Sequence, residues 1–232
     1  MKLLTFKSLA LTLLLSVSCA TKNEPAMTSK ANGIDVSHHQ GQVDWKQVSL
    51  TKNLGYVYLK ASEGVTYTDP EYKNNLKSAK EAGLLVGAYH FYSEKSNIDS
   101  QFEHFKDLYP KGKADLIPML DVEPRGKCSP ERIAKIRKDV KRFQDLCRRY
   151  YGTEAMLYVE PMMTEKGWLG PVIGKDTRLC IGHPYETAPR LGGGVEYTIW
   201  QFTYSGRVKG VQGGVDMHRF HRNASMKDIL LR

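Results

Sequence analysis

The sequence predicts an α/β barrel: a TIM-like closed sheet in a single domain, regular in its first half and irregular in its second. Three observations point there. Eight β-rich runs recur between Gly33 and His218, the strand count of a closed (β/α) barrel. Helix-patterned segments fill the gaps between the first five runs, which implies parallel pairing through crossovers. The later gaps shrink and carry Gly192-Gly-Gly194 and Gly213-Gly214, which mark turns where helices would otherwise stand. A chain of 232 residues, 41% hydrophobic and 25% charged, can bury one large core, and disorder and collagen-like repetition are excluded. A flat doubly wound sheet is the competing arrangement.

In chain order, the first strand is expected at 33–37 and a helix at 44–51, with Asp44 as its N-cap ahead of Trp45. Strands follow at 56–61 and 85–91, separated by a helix at 70–82, and a further helix spans 97–108. Residues 116–123 (Leu-Ile-Pro-Met-Leu-Asp-Val-Glu) form an apolar run ending in acids, as a buried parallel strand does. A helix over 130–150 starts from the cap Ser129 with Pro130 at its first position. Ile133, Ile136, Val140, Phe143, Cys147 and Tyr150 draw one apolar stripe down it, so Cys147 is expected as a buried free thiol. The remaining strands are 155–159, 179–182, 197–202 and 214–218.

The N-terminus is different in kind. Lys2 and Lys7 precede an apolar run from Leu9 to Val17 that is too short to span a membrane. Residues 1–18 are therefore expected to be an export signal. The Ser-Val-Ser-Cys19 ending resembles a bacterial lipoprotein cleavage site, with plain secretion or a retained anchor as alternatives. Residues 19–32 would then be a lipid-bearing N-terminus and polar linker, and 33–232 the folded domain. Lipidation at Cys19 would leave Cys128, Cys147 and Cys180, an odd number without a CxxC pair, which argues against a disulfide framework or a structural zinc site.

Asp121 and Glu123 are the sharpest chemical signal. Alternation along a strand puts both on one face, Cα atoms roughly 6.5–7 Å apart, with Val122 on the other. The C-terminal end of a barrel strand is where such enzymes keep their active sites. Like charges that close raise one pKa and leave a protonated acid near neutrality. One acid to protonate a leaving oxygen and one carboxylate to assist is the arrangement glycosidic cleavage needs. The alternative is that the pair caps the next helix or forms surface ion pairs. Other acids at strand ends weigh against that: Asp35 ends the first strand, Glu63 follows the second, and Asp216 lies in the last. Closure makes the first and last strands neighbours, so Asp35 and Asp216 would face each other.

Aromatic residues collect at the same ends. Tyr89, Phe91, Tyr92, Tyr158, Trp200 and Phe202 offer faces on which sugar rings pack, with Tyr89 and Trp200 the best candidates for cleft walls and ordinary core packing the alternative. His38-His39 invites a metal reading, but neighbours on a strand point to opposite faces and no ligand spacing is present, so neither metal nor organic cofactor is expected. No GxSxG elbow, P-loop or GxGxxG occurs. The formal charge is +9, and between Arg132 and Arg149 eight Lys or Arg stand against two acids. A solvated helix face is the ordinary meaning; an exported protein without a binding module gives no reason to expect nucleic acid, whereas anionic wall polymers suit the charge.

Together these residues resemble glycoside hydrolase family 25, the Chalaropsis-type lysozymes, from about Gly33 to Phe220. The resemblance rests on five ordered blocks: Gly33-Ile-Asp-Val-Ser-His-His-Gln-Gly41 with Val43-Asp-Trp45; Tyr58-Leu-Lys-Ala-Ser-Glu-Gly64 with Tyr67-Thr-Asp-Pro70; Gly87-Ala-Tyr-His-Phe-Tyr92; Leu120-Asp-Val-Glu123; and Ile199-Trp-Gln-Phe202 with Gly214-Val-Asp216. It implies a (β/α)5β3 barrel and hydrolysis of the β-1,4 bond between N-acetylmuramic acid and N-acetylglucosamine in peptidoglycan. Glu123 falls on the family's catalytic acid, and Asp121, Asp35 and Asp216 on the acids around the reacting sugar. Asp121 would position the 2-acetamido group and Tyr89 would contact the −1 sugar. Lys60, Glu63, Tyr158, Trp200 and Gln201 complete the expected substrate-binding set. The sixth strand departs from the family, reading Leu179-Cys-Ile-Gly-His-Pro-Tyr185 where a Trp is common. The implied protein is an exported, membrane-anchored, monomeric peptidoglycan hydrolase. A wall-binding module with little turnover and a glycosidase for other glycans are the alternatives.

Overall fold

The computed structural model describes residues 32–165 and 167–232. The expected signal, Cys19 and most of the linker lie outside the described residues. Among the described residues, nine strands form one sheet: β1 (Asn32–Val36), β2 (Leu54–Glu63), β3 (Tyr67–Thr68), β4 (Leu85–Phe91), β5 (Met119–Asp121), β6 (Met156–Val159), β7 (Leu179–Gly182), β8 (Ile199–Gly206) and β9 (Val215–Phe220). Eight of them close a barrel in the order β1-β9-β8-β7-β6-β5-β4-β2, with β1 pairing β2 to complete the ring. The strand β3 is a short antiparallel addition to the end of β2 that sequence patterning did not signal. Pairing is parallel from β1 through β8, and β9 runs antiparallel to both β8 and β1.

Four helices supply the crossovers of the first half: α1 (Trp45–Ser49), α2 (Tyr72–Glu81), α3 (Ile98–Leu108) and α4 (Pro130–Tyr151). Their starts follow from local chemistry. Side-chain oxygens of Asp44, Asn97 and Ser129 accept backbone N–H bonds three residues on, satisfying donors that a helix leaves orphaned at its start. After β6 the connection holds two 3-10 turns, Pro161–Thr164 and Gly170–Val172, in place of a fifth helix. Proline at the start of each turn and Gly167 at φ +104° are consistent with that irregularity.

Two departures from the sequence reading have simple causes. The expected strand at 116–123 is a ladder only over Met119–Asp121, because Pro118 has no N–H to give and Leu116 and Ile117 pair instead with Leu230 and Ile229 near the C-terminus. On α4 the apolar stripe ends at Tyr151, which is buried and donates its hydroxyl to the Tyr109 carbonyl at 2.6 Å, while Tyr150 is 37% exposed. Cys147 is buried, and among the described residues Cys128, Cys147 and Cys180 form no disulfide.

Alternation sorts each strand into two cores. Residues facing out from the sheet, such as Val57, Leu59, Leu120, Val122 and Ile181, pack beneath the helices. Residues facing in, including Tyr56, Tyr58, Met119, Met156 and Cys180, fill the barrel's interior. The two tyrosines fit because the neighbouring strands carry glycine where they cross: a Cβ on Gly33 would lie 2.2 Å from the Tyr56 ring, and one on Gly87 2.4 Å from the Tyr58 ring. This packed plug forms the floor on which the acids at the C-terminal ends of the strands stand.

Candidate active site

A cleft of about 720 Å³ opens over that floor. Strand register determines what lines it. Asp35 on β1 pairs directly with Asp216 on β9, Lys60 on β2 with Tyr89 on β4, and Phe91 with Asp121, which in turn pairs with Tyr158 on β6. All of these residues, together with Glu63, Glu123 and Gln201, line the one cleft. The strand ends thus bring together acids separated by up to 181 positions in the chain.

Asp121 and Glu123 stand on the cleft side, while Val122 is fully buried in the outer core. The extended path continues past β5 because Val122 N–H donates to the Tyr158 carbonyl at 3.0 Å. Asp121 is 9% exposed, and its Oδ1 has no hydrogen-bond partner among the described residues. Burial first, then the charges of Glu123 and Asp35, pushes the Asp121 carboxyl well above the usual carboxylate range. Glu123 is raised as well, by burial and the neighbouring Glu160 charge, against the opposing pull of Arg125. Asp216 is pushed up to about 8, by burial and then by Asp35 and Glu123. Burial and mutual repulsion thus favour the protonated form of three acids in the mouth, the form that general-acid chemistry requires.

The basic and aromatic members temper this cluster. Lys60 bonds Glu63 at 2.7 Å, and its ammonium stands 4.8 Å from the Phe91 ring centroid. Its positive charge opposes the rise at both Asp121 and Glu123. Burial and the surrounding charges of Asp35, Asp121 and Asp216 hold Tyr89 as a neutral phenol, a hydrogen-bond donor facing the acids. Tyr158 reaches across to β7, where a Cβ on residue 182 would lie 2.3 Å from its hydroxyl, so Gly182 leaves that oxygen its place. The end of β7 therefore accommodates a cleft-lining tyrosine.

Trp200 does not belong to the cleft. Gln201 faces inward on β8, so its neighbours Trp200 and Phe202 face outward. Trp200 is buried in the outer core and donates Nε1–H to the His183 carbonyl at 2.6 Å. Its expected contribution is structural: Trp200→Ala should destabilise the fold by about 3–5 kcal/mol, while the folded variant keeps its KM. Denaturant unfolding together with steady-state assays would check this. The histidine pair also differs from expectation. Ser37 caps a 3-10 turn, His38–Gln40, so the two rings lie together, centroids 4.0 Å apart, and strand alternation does not apply. His38 Nδ1 is 2.8 Å from the buried Asp69 Oδ2, whereas His39 lines the cleft.

Sequence reasoning missed a wall built by long-range polar contacts. Arg132 on α4 binds Glu94 through both Nε (2.7 Å) and Nη2 (2.6 Å), and its Nη1 donates to the carbonyls of Arg125 and Lys127. One guanidinium thus joins the loop after β4 to the loop carrying Glu123. Gln101 on α3 supports the first loop from beneath, bonding the backbone of Ser93 and Ser96 and the buried His90 ring. Burial lowers His90 to about 4, so it serves here as a neutral imidazole on the outer face. Arg132 had appeared only as one charge in a basic helix, and no local pattern links it to a glutamate 38 residues earlier.

Comparison with known proteins gives the family of the chain. Residues 34–211 match the family described as Glycosyl hydrolases family 25. Lysozyme M1 of Streptomyces globisporus is 29% identical over 215 residues, covering 87% of this chain and 71% of the relative. The N,O-diacetylmuramidase of Chalaropsis sp. is 27% identical over 206 residues, covering 79% of this chain and 95% of that one. The crystal structure of the bacterial lysozyme from Streptomyces coelicolor superposes with a TM-score of 0.73 at 28% identity, covering 86% of this chain and 95% of the other. With the family's extent spanning the barrel from β1 to beyond β8, the chain belongs to glycosyl hydrolase family 25.

Proposed function

We propose that the protein is a muramidase that hydrolyses the β-1,4 bond between N-acetylmuramic acid and N-acetylglucosamine in peptidoglycan. The observation that carries this reading is the meeting of Glu123 with Asp121, Asp35 and Asp216 in one cleft, in a chain whose relatives include a lysozyme and an N,O-diacetylmuramidase. Glu123, with its proton retained by burial, gives that proton to the departing glycosidic oxygen. Asp121 positions the 2-acetamido group of the −1 sugar, the Asp35 carboxylate faces the developing positive charge at the anomeric carbon, and Asp216 stands paired beside it. Tyr89 donates to that sugar, and Lys60, Glu63, Tyr158 and Gln201 bind its neighbours. No metal or organic cofactor enters these steps.

Digestion of purified peptidoglycan, with mass spectrometry of the new reducing ends, tests the assignment. Muropeptides ending in reducing muramic acid are expected. Reducing N-acetylglucosamine ends, or binding with no fragments, would overturn it.

The export reading belongs to the same proposal: residues 1–18 direct secretion, Cys19 carries lipid, and the domain beginning at residue 33 acts as a monomer on wall polymer near the membrane. Cys19→Ala should release the protein from the membrane fraction into the soluble one. Persistent membrane association of that variant would rule out lipidation at Cys19.

A further inference from the structure

Below the mouth of the cleft, two residues beyond Asp216 on β9, the sheet buries His218, 1% exposed. Its Nε2 lies 2.8 Å from Asp35 Oδ2. Register explains the reach: β1 and β9 pair Asp35 with Asp216 and Gly33 with His218, so the imidazole stands one layer beneath the two carboxyls. The Tyr56 ring lies across Gly33 and stacks on the imidazole, centroids 6.0 Å apart at 29°. The other ring nitrogen, Nδ1, is buried with no hydrogen-bond partner among the described residues. A buried N–H without an acceptor costs more than a bare lone pair against an aromatic wall. The ring's proton therefore belongs on Nε2, where it is donated to Asp35.

We propose that His218 is a positioning residue: it holds the Asp35 carboxylate in one orientation at the cleft floor, with its charge facing the other acids. The inference rests on the glycosidase reading of the cleft. The charged and titratable groups around Asp35 come from several strands, and each responds to where that charge sits. Tyr56 and Lys60 stand on β2, Tyr89 on β4, Asp121 and Glu123 at the end of β5, Cys180 on β7 and Asp216 on β9. After burial, the Asp35 charge is the next largest influence raising Asp216, Tyr89 and Cys180, and it also raises Asp121 and Glu123. One anchored anion thus helps its neighbours keep their protons, including the one on Glu123 that the reaction uses. Without the donor, the Asp35 side chain is free to turn away and its influence on those neighbours weakens.

The test compares His218→Leu, which removes the donor at similar volume, with His218→Gln, whose amide N–H ends near the position of Nε2. Turnover of peptidoglycan is measured against pH. In the free protein, ¹³C NMR of the side-chain carboxyls follows their titration without substrate. In the Leu variant kcat should fall about tenfold or more, KM should stay nearly constant, and the alkaline limb of the profile should move to lower pH. The Asp216 carboxyl should titrate lower in parallel, and the Gln variant should restore most of both. A Leu variant with wild-type kcat, pH profile and carboxyl titration would overturn the proposal. So would a loss of turnover that merely tracks the folded fraction. If His218→Leu does not fold, His218→Asn takes its place, because its shorter amide falls short of Asp35. Absence of any turnover by the wild-type protein would sink the muramidase reading instead, and the NMR titration would still decide the part played by His218.

Discussion

Glu123→Gln should leave the thermal melting curve nearly unchanged and lower kcat on peptidoglycan about 10³-fold. The glutamine keeps the shape and a hydrogen-bonding amide at the end of β5 but has no proton to give the leaving oxygen. The change should fall on kcat because an acid that acts during bond breaking contributes little to ground-state binding. Stopped assays of soluble muropeptides, with circular dichroism to verify folding, would read both quantities. Turnover within a few-fold of wild type would remove Glu123 from the role of acid. The alkaline limb of the wild-type profile should lie above the ordinary range of a glutamic acid, because burial and the Glu160 charge raise this carboxyl.

Asp121→Asn should move activity and stability in opposite directions. Turnover is expected to fall about 10²-fold, since the amide puts an N–H donor where one of the two carboxyl oxygens that orient the acetamido group stands. Stability should rise at neutral pH. The linkage argument sets the sign: a buried carboxyl whose folded pKa is raised holds a proton that the unfolded chain has already released. Folded protein then binds more protons than unfolded, and stability falls as pH rises from the unfolded pKa toward the folded one. Asp121 is raised by burial, then by Glu123 and Asp35. Asp216 is raised to about 8 by burial, then by Asp35 and Glu123, which places its window between about pH 4 and pH 8. Removing Asp216 should flatten the decline in Tm over that window, and removing Asp121 should flatten it above the usual carboxylate range. Glu94 acts in the opposite sense: its bond to Arg132 lowers its pKa, so its contribution is present at neutral pH and is lost on acidification. Melting curves of wild type, Asp121→Asn and Asp216→Asn from pH 4 to pH 8 would separate these terms. A wild-type Tm that rises steadily across the range would contradict the assignment of raised acids. The stability sacrificed by crowding unpaired carboxyls beneath the cleft is a cost of function of the kind that active sites commonly carry.

Much of this site was legible because short-range rules govern it. Tyr89, His90 and Phe91 alternate in, out and in along β4, and Asp121, Val122 and Glu123 do the same at the end of β5. The convergence of Asp35 and Asp216 followed from closure of the first strand on the last, and their direct pairing has that origin. Trp200 shows where the reasoning stopped. Both faces of a barrel strand are apolar, one toward the interior and one toward the helices, so composition did not say which way an aromatic on β8 points. Alternation would have said so once Gln201 was known to face inward.

By itself the sequence determined the order and type of the major elements, the capped starts of α1 and α4, the face shared by Asp121 and Glu123, and the family of the chain. These depend on contacts within a few residues or on patterns that recur at a set period. Tertiary structure decided the outward placement of Trp200, the Arg132–Glu94 clamp across 38 positions and the His218–Asp35 bond across 183. It also decided the protonation of the acids, because burial and mutual repulsion arise only when the barrel brings distant strand ends to one mouth.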